Sequence, residues 1–392
     1  MATCAAQRVR VLFIVNSLQF GGAEKHVVTL LNHIDIERFE LTLCYLKNDT
    51  QLLPQLDQSR LQAPAFCLNV ASKIDGAALR RLADFIDAQK IDVLLCTNNY
   101  PLWYGMLVRP LLRARTQPLK VVEVLHTTGL GSFKQQLQLW ITRPFYWACQ
   151  HLVYVCENQR RFWRKRALSR WRDQVIHNGI DVEYFSAAHF SPEQIAHQRF
   201  VYRAEPEDFV IGICAVLRPE KAHGDLLQAV AQLRARGLPV KLWIIGDGPE
   251  RARLEAQIGE SSLRSVVLIT GFQSDVRLTI AAVDAMAIVS HAVETFSIAA
   301  LEAMALGKPM VMSDIGGASE QVEPGVNGYL FPAGDIAALA AALARLMQSG
   351  QTQALGQAAR VKVCQQFSLQ GMVQQYENML LDVAAPGQRS GA

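Results

Sequence analysis

The sequence predicts two doubly wound, Rossmann-like α/β domains facing each other across a cleft. Three observations carry this. The chain has 392 residues, about twice the usual size of one domain. Short Val/Ile/Leu-rich runs alternate with amphipathic helical patterns from end to end; this is the pattern of a parallel sheet covered on both faces. The alternation pauses at 184–208, where Ser191-Pro192 and Glu205-Pro206-Glu207-Asp208 have loop-like composition, and then restarts.

In chain order, the first half offers strands at 9–15, 39–45, 64–69, 91–96, 120–125, 151–155 and 173–176. Helical patterns lie between them at 23–33, 76–89, 102–113 and 132–148. The apolar run Val11–Val15 is too short for a signal peptide and leads through Asn16-Ser17 to Gly21-Gly22, so it reads as a strand and its loop. The second half offers strands at 209–216, 240–246, 265–270, 284–289 and 309–312, then helices at 335–348, 353–366 and 368–384. The expected domains are 1–184 and 185–367, with helix 368–384 returning to the first and 385–392 a flexible tail.

Composition narrows the class. Hydrophobic residues make up 50% and charged residues 19%, which excludes disorder as the main state. No uncharged run of 18 apolar residues occurs, which argues against a membrane-spanning helix. The eight cysteines include no Cys-x-x-Cys and no zinc spacing, as expected for reduced thiols in a cytoplasmic protein. Residues 1–190 hold 23 Lys+Arg against 15 Asp+Glu, whereas the remainder hold 16 against 20. A basic first half and an acidic second half suggest different partners for each.

The candidate chemistry sits in loops that follow strands. Gly21 and Gly22 precede a helix, where backbone can approach an anion closely, but no Gly-x-Gly-x-x-Gly is present. Arg218 and Lys221 follow the strand at 209–216, a cationic pair suited to a diphosphate. Gly246 and Gly248 end the next strand, and Pro249 is placed to open a helix. Gly271-Phe272 follows the third strand. Glu294 and Glu302 then stand eight residues apart, around a helix expected to begin near Ser297. Glu302 lies inside the apolar run Ile298–Met304, an expensive place for an unpaired carboxylate.

Arg218-Pro-Glu-Lys221, Gly246-Asp-Gly-Pro249, Gly271-Phe272 and Glu294-x7-Glu302 with its Ala-Met-Ala-Leu-Gly continuation resemble the retaining GT-B glycosyltransferases of family 4, group 1. Gly21-Gly-Ala-Glu24, His177-Asn-Gly-Ile-Asp181, Gly316-Gly317 to Glu320 and Gly325-Val-Asn-Gly328 match further segments in the family's order. The resemblance runs from Val9 to about Leu381. It implies that Lys221 pairs with the donor diphosphate. Gly22 and the N–H groups of Ser297 and Ile298 would cradle the same phosphates. Gly21, Gly246, Gly248, Phe272 and Phe296 would line the donor site. Glu302 would hold the ribose hydroxyls and Glu294 those of the sugar. His126, in Leu125-His126-Thr-Thr-Gly129, would lie near the transferred sugar.

Two positions depart from the family. Its usual arginine two residues before Arg218 is Val216 here, and Arg218 shares the strand parity of that position. Ser297 replaces a small Gly or Pro and could add a hydroxyl to the phosphate site. No Asp-x-Asp occurs, so the expected chemistry is metal-independent and needs no cofactor beyond a nucleotide sugar, with UDP the first choice of nucleotide and GDP the second.

The acceptor is expected on the basic first half. Asn98, Asn99 and Tyr100 end a strand and are open to two readings, an acceptor pocket or a turn with capping amides. Residues 160–172 carry seven cations, three aromatics and no acid. No nucleic-acid module surrounds them. Arg160, Arg161, Trp163, Arg164 and Lys165 therefore suit an anionic membrane surface, or simply a solvated basic face. The sequence thus points to a cytoplasmic glycosyltransferase, peripheral on the membrane, acting on a glycan or polyprenyl-linked glycan. A sugar-nucleotide epimerase or hydrolase, and a non-catalytic sugar-nucleotide-binding module, are the alternatives.

Overall fold

A computed structural model describes residues 8–115, 117–126, 128, 133–168, 172–260, 263–292, 294–348 and 350–385. The chain divides into two compact units, Met1–His177 with Met372–Ala392, and Asn178–Gly371.

The first unit holds strands β1 (Val9–Val15), β2 (Phe39–Tyr45), β3 (Phe66–Cys67), β4 (Val93–Thr97), β5 (Lys120–Leu125), β6 (His151–Tyr154) and β7 (Asp173–Val175). They form one parallel sheet in the order β3-β2-β1-β4-β5-β6-β7. Helices α1 (Gly22–His33), α2 (Gly76–Ala88), α3 (Asn99–Leu107), α4 (Phe133–Ala148) and α5 (Glu157–Arg164) connect the strands. Val11, Leu12, Phe13 and Ile14 are fully buried, as a strand covered on both faces requires. Helix α2 buries Leu79, Leu82, Ala83 and Ile86 at helical spacing, and Asp75 caps it by accepting from the N–H groups of Ala77 and Ala78.

The second unit holds α6 (Pro192–Val201), β8 (Phe209–Cys214), α7 (His223–Ala235), β9 (Val240–Ile245), α8 (Arg251–Glu260), β10 (Val267–Gly271), α9 (Arg277–Ala282) and β11 (Ala285–Ile288). It continues with α10 (Ile298–Ala305), β12 (Met310–Ser313), α11 (Ala318–Gln321), β13 (Gly328–Phe331), α12 (Ile336–Gln348) and α13 (Thr352–Gln366). Its parallel sheet has the order β10-β9-β8-β11-β12-β13. The last helix, α14 (Leu369–Ala384), begins in this unit, but from Met372 it belongs to the first. There Glu377 accepts from the Asp35 N–H at 2.9 Å and from Arg38 at 2.8 Å.

Four local features differ from the sequence reading. The supposed loop at 184–208 contains α6, set by a capping box in which Ser191 accepts from Gln194 N–H and the Gln194 side chain accepts from Ser191 N–H. Strand β13 escapes notice because only four residues, Gly-Tyr-Leu-Phe, follow a glycine-rich turn. Helix α3 starts at Asn99 and gives way at Arg109–Leu111 to a single 3-10 turn containing Pro110. Helix α8 begins at Arg251, because Glu250 N–H donates to the Leu217 carbonyl. The units divide between His177 and Asn178, whereas the sequence places the break at 184/185. Ile180 exchanges backbone hydrogen bonds with Phe367 and Leu369, and Arg277 stacks on Tyr184, which holds 180–185 to the second unit. The expected tail beyond Ala385 lies outside the described residues.

Candidate active site

In the second unit the strand order reverses between β8 and β11. Loops beyond the carboxyl ends of such a pair diverge and leave room for a ligand. The β8 loop carries Arg218 and Lys221, and the β11 loop carries Glu294. Because the two strands are neighbours, Lys221 Nζ and Glu294 Oε2 meet at 2.6 Å. The pair is partly buried, with 26% of the lysine and 14% of the glutamate side chain exposed. Ser290 Oγ donates to the same carboxylate oxygen at 3.2 Å. Two further bonds join the loops: His291 N–H donates to Glu220 O, and the His291 ring meets Asp225 Oδ2 at 2.5 Å. Sequence reasoning missed Ser290, His291 and Asp225. Only the β8–β11 adjacency, a property of the topology, brings them to the pair.

The glycines of the β9 loop meet a packing need within the protein. Gly246 has φ +142°, and the Ala215 carbonyl occupies the place of a side chain. A Cβ on Gly248 would stand 2.6 Å from Leu217 O and 2.7 Å from Leu217 N. The close approach that they permit is to the neighbouring β8 loop, where Leu217 N–H donates to Asp247 O at 3.0 Å. Gly316, with φ +55°, makes the same kind of room for the Glu294 carbonyl. Phe272, beyond β10, is 61% exposed.

Helix α10 opens the last element of this site, with Ser297 as its N-cap. The Ser297 hydroxyl accepts from Ala300 N–H and so caps the helix. Two expectations are corrected here. The Ser297 N–H donates to Gln321 Oε1 at 3.2 Å, so it is occupied within the protein. The Phe296 ring is buried edge-on to Phe367, with ring centres 5.2 Å apart, and forms part of the core. Ile298, at the first helical position, keeps its backbone at the helix mouth. Gln321 also donates to Ser297 O and is itself held by Asn327 through its carbonyl. This buried amide relay fixes where α10 begins, and nothing in the sequence marks it. Glu302 is buried within α10, only 5% exposed.

Arg218 is exposed and forms no ion pair among the described residues. Strand β8 ends at Cys214, so strand parity does not relate Arg218 to Val216. Both flank the buried Leu217 in a loop.

In the first unit, β1 and β4 form the corresponding reversal. Gly21 caps α1 with φ −164°, extended backbone that any residue adopts. Conformation therefore does not demand glycine there; a side chain would instead enter the space held by the Glu24 carboxylate. His126 follows β5, and its backbone N–H donates to Asn98 Oδ1 at 3.0 Å. Asn98 itself has φ +68° and ψ 171°, a strained region that is otherwise almost confined to glycine. Its amide thus serves as a brace for the histidine loop. Asn99 and Tyr100 begin α3, where Tyr100 stacks on Trp103.

Burial holds the His126 imidazole neutral, its pKa pulled down to about 4. Its Nε2 is buried and has no partner among the described residues. The His126 ring packs edge-on to His26, 4.8 Å away, and His26 lies 5.3 Å from Tyr376 of α14. His26 is also pulled well below its ordinary value, first by burial and then by His126. Thr127 and Gly129 of the histidine motif, and Val293 before Glu294, lie outside the described residues.

The basic segment is also corrected. Trp163 is 3% exposed and belongs to the core, so it is no membrane contact. Arg160 and Arg164 both bind Asp173, at 2.7 and 2.6 Å, so they are not free cations. Arg161 and Lys165 are exposed. Arg170 and Trp171 lie outside the described residues. No described helix is long and apolar enough to cross a membrane.

Comparison with known proteins agrees with the two-sheet architecture. The family model for glycosyl transferases group 1 matches residues 194–362, and that for Glycosyltransferase Family 4 matches 20–184. N-acetyl-alpha-D-glucosaminyl L-malate synthase of Bacillus anthracis is 30% identical over 211 residues, 54% of either chain. The amylovoran biosynthesis glycosyltransferase AmsK of Erwinia amylovora is 30% identical over 206 residues, 50% of this chain and 51% of its own. These matches span about half the length of either relative. HepE of Anabaena, crystallised with UDP-glucose, superposes with a TM-score of 0.82 over 96% of this chain and all of its own, at 23% identity. With one family model on each sheet and the paired reversal loops on the second, the chain belongs to the group 1, family 4-like glycosyltransferases of the GT-B fold.

Proposed function

We propose that this protein transfers a sugar from a nucleotide-sugar donor to a glycan or polyprenyl-linked glycan, with retention of anomeric configuration, in polysaccharide synthesis. The observation that carries the reading is the Lys221–Glu294 pair beside the α10 mouth. A cation and a sugar-binding carboxylate on adjacent loops suit a diphosphate joined to a hexose. UDP is the favoured nucleotide, since HepE was crystallised with UDP-glucose. AmsK, by name a polysaccharide enzyme, supports the pathway class.

In this reading Glu302 holds the ribose, Gly22 and the Ile298 N–H face phosphate, and Phe272 flanks the base. Glu294 leaves Lys221 for the sugar hydroxyls, which frees the ammonium for the diphosphate. The bond from the anomeric carbon to the diphosphate oxygen breaks. A new bond to the acceptor oxygen forms on the same face, and the acceptor proton passes to the departing phosphate. Lys221, with Arg218, stabilises the charge that builds there. His126, neutral at pH 7, acts as a hydrogen-bonding group towards the transferred sugar and not as a cation. The reaction takes place in the cytoplasm, and no metal is required.

The test begins with a thermal-shift screen of nucleotides and nucleotide sugars, since a specific ligand stabilises the folded state by mass action. Products of turnover with the best donor are then examined by NMR. Glycoside with the donor's anomeric configuration supports the reading. Isomerised donor, free sugar alone, or binding without turnover overturns it.

A further inference from the structure

Asn98 carries two local costs. At φ +68° and ψ 171° it lies where the backbone is otherwise nearly confined to glycine. It is also the N-cap of α3, a position where asparagine ordinarily accepts from a backbone N–H of the first helical turn. Its side chain makes no such cap bond. Its Oδ1 instead accepts from the His126 N–H at 3.0 Å, across 28 residues of sequence.

The main chain of Asn98 is held on both sides. Its N–H donates to Val124 O at 3.0 Å, which carries the β4–β5 ladder one residue past Thr97. Its carbonyl accepts from Leu102 N–H at 3.3 Å, which closes the first turn of α3. Strand, helix and histidine loop thus meet at one residue. Neither main-chain bond needs a side chain, and glycine would adopt this backbone without strain. What calls for an asparagine is the third bond, the one to His126. That histidine packs its ring edge-on to His26, 4.8 Å away, and its Nε2 is buried with no partner among the described residues. A buried nitrogen left open in this way suits a hydroxyl of a bound ligand.

We propose that Asn98 is a positioning residue: its strained backbone and its amide oxygen fix the His126 main chain, so that the imidazole is in place when the sugar arrives. The proposal rests on the reading of His126 as a hydrogen-bonding group towards the transferred sugar. It gives Asn98 itself no contact with substrate. A direct acceptor contact would instead show in the acceptor KM.

N98A, N98G and N98D are compared with H126A in the full-length protein. N98A and N98G both lose the bond, but only N98G relieves the strain, so N98G should melt above N98A. Transfer should not follow stability. Both should lose about tenfold to a hundredfold in kcat, the scale of a displacement of about 1 Å, with donor and acceptor KM near wild type. N98D keeps an oxygen acceptor and should restore most of kcat. N98G/H126A should be no slower than H126A, since a residue that acts only through His126 then has nothing to position. Exchange of the His126 amide gives a readout independent of turnover. It is followed by NMR with isotope-labelled histidine, assigned by its loss in H126A, and should be slow in wild type and N98D but fast in N98G. A kcat that tracks melting temperature, a raised acceptor KM with unchanged kcat, equal losses from N98G with and without His126, or unchanged amide exchange in N98G overturns the proposal. Loss of rate in H126A with none in N98G overturns the proposal alone. Wild-type kcat in H126A overturns the reading of His126, and the proposal with it.

Discussion

Replacing Lys221 with alanine tests the donor site most directly. Its ammonium is 2.6 Å from Glu294 and partly buried, so the group works at reduced dielectric. If it stabilises the leaving diphosphate as charge develops, its removal should cost about 3–4 kcal/mol, comparable to one oxyanion donor. That corresponds to a loss of two to three orders of magnitude in kcat/KM, most of it in kcat. A second effect follows from the pair. Without Lys221, the Glu294 carboxylate keeps the Ser290 hydroxyl and loses its cation, leaving a negative charge beside an incoming diphosphate. K221A/E294Q should therefore bind donor better than K221A, with a coupling of about 0.5–3 kcal/mol. Initial rates over a donor titration, with single-turnover rates at saturation, separate binding from chemistry. Arg218→Ala in the same assay decides whether Arg218 takes the diphosphate role usually held at position 216. A loss like that of K221A, partly rescued by Val216→Arg, would show that it does. If K221A retains wild-type kcat and only raises KM, Lys221 binds donor uniformly and the catalytic assignment fails.

Three further outcomes are expected. Glu123 is fully buried in β5 and burial pushes its carboxyl well above the usual range, so the folded state holds a proton that the unfolded state releases. Stability should then fall as pH rises above about 4.5, by about 1.4 kcal/mol per pH unit, until the folded-state pKa is reached. Glu123→Gln should remove that slope in urea titrations at pH 5–8; an unchanged slope would refute the assignment. His126 and His26 have the opposite sign, because their folded-state values are depressed. The His126 contribution is complete above about pH 6.5 and is lost as pH falls towards 4, and that of His26 has the same sign, so His26→Phe should flatten the acid limb of a melting-temperature profile. Transfer should persist in excess EDTA. Complete loss, restored by magnesium or manganese, would show that a metal is needed.

Strands were legible where sequence and burial share one cause. Val9–Val15, Phe39–Tyr45 and Lys120–Leu125 are apolar because both sheet faces are covered, and their limits match the expected ones. Strand β13 and helix α6 were not, since the first has only four residues and the second owes its start to the Ser191–Gln194 box more than to any apolar stripe. The site divides along the same line. Lys221 and Glu294 stood out as charges after apolar strands, and the topology brings them together. Trp163 and the paired Arg160 and Arg164 misled, because Asp173, which gathers both arginines, lies beyond the acid-free run. A cationic stretch records charge but not the partner that the fold supplies.

The glycines sharpen this distinction between motif and cause. In a phosphate-binding fold, a glycine beside a strand end invites the reading that backbone must reach a ligand. At Gly246, Gly248 and Gly316 the atom that fills the vacant Cβ position belongs to the next loop of the protein itself. Gly246 and Gly248 let the β9 loop press on the β8 loop, where Leu217 N–H donates to Asp247 O and Leu217 O accepts from Glu250 N–H, and Gly316 lets the β12 loop press on the β11 loop. The Gln321–Asn327 relay does the same for the start of α10. A lysine has four rotatable bonds and loses much freedom when it is held against one carboxylate. Fixing the two backbones that carry Lys221 and Glu294 confines that cost to the side chains. If the pair opens to donor as proposed, the rearrangement is confined to the Lys221 and Glu294 side chains, and the loops that carry them stay in place.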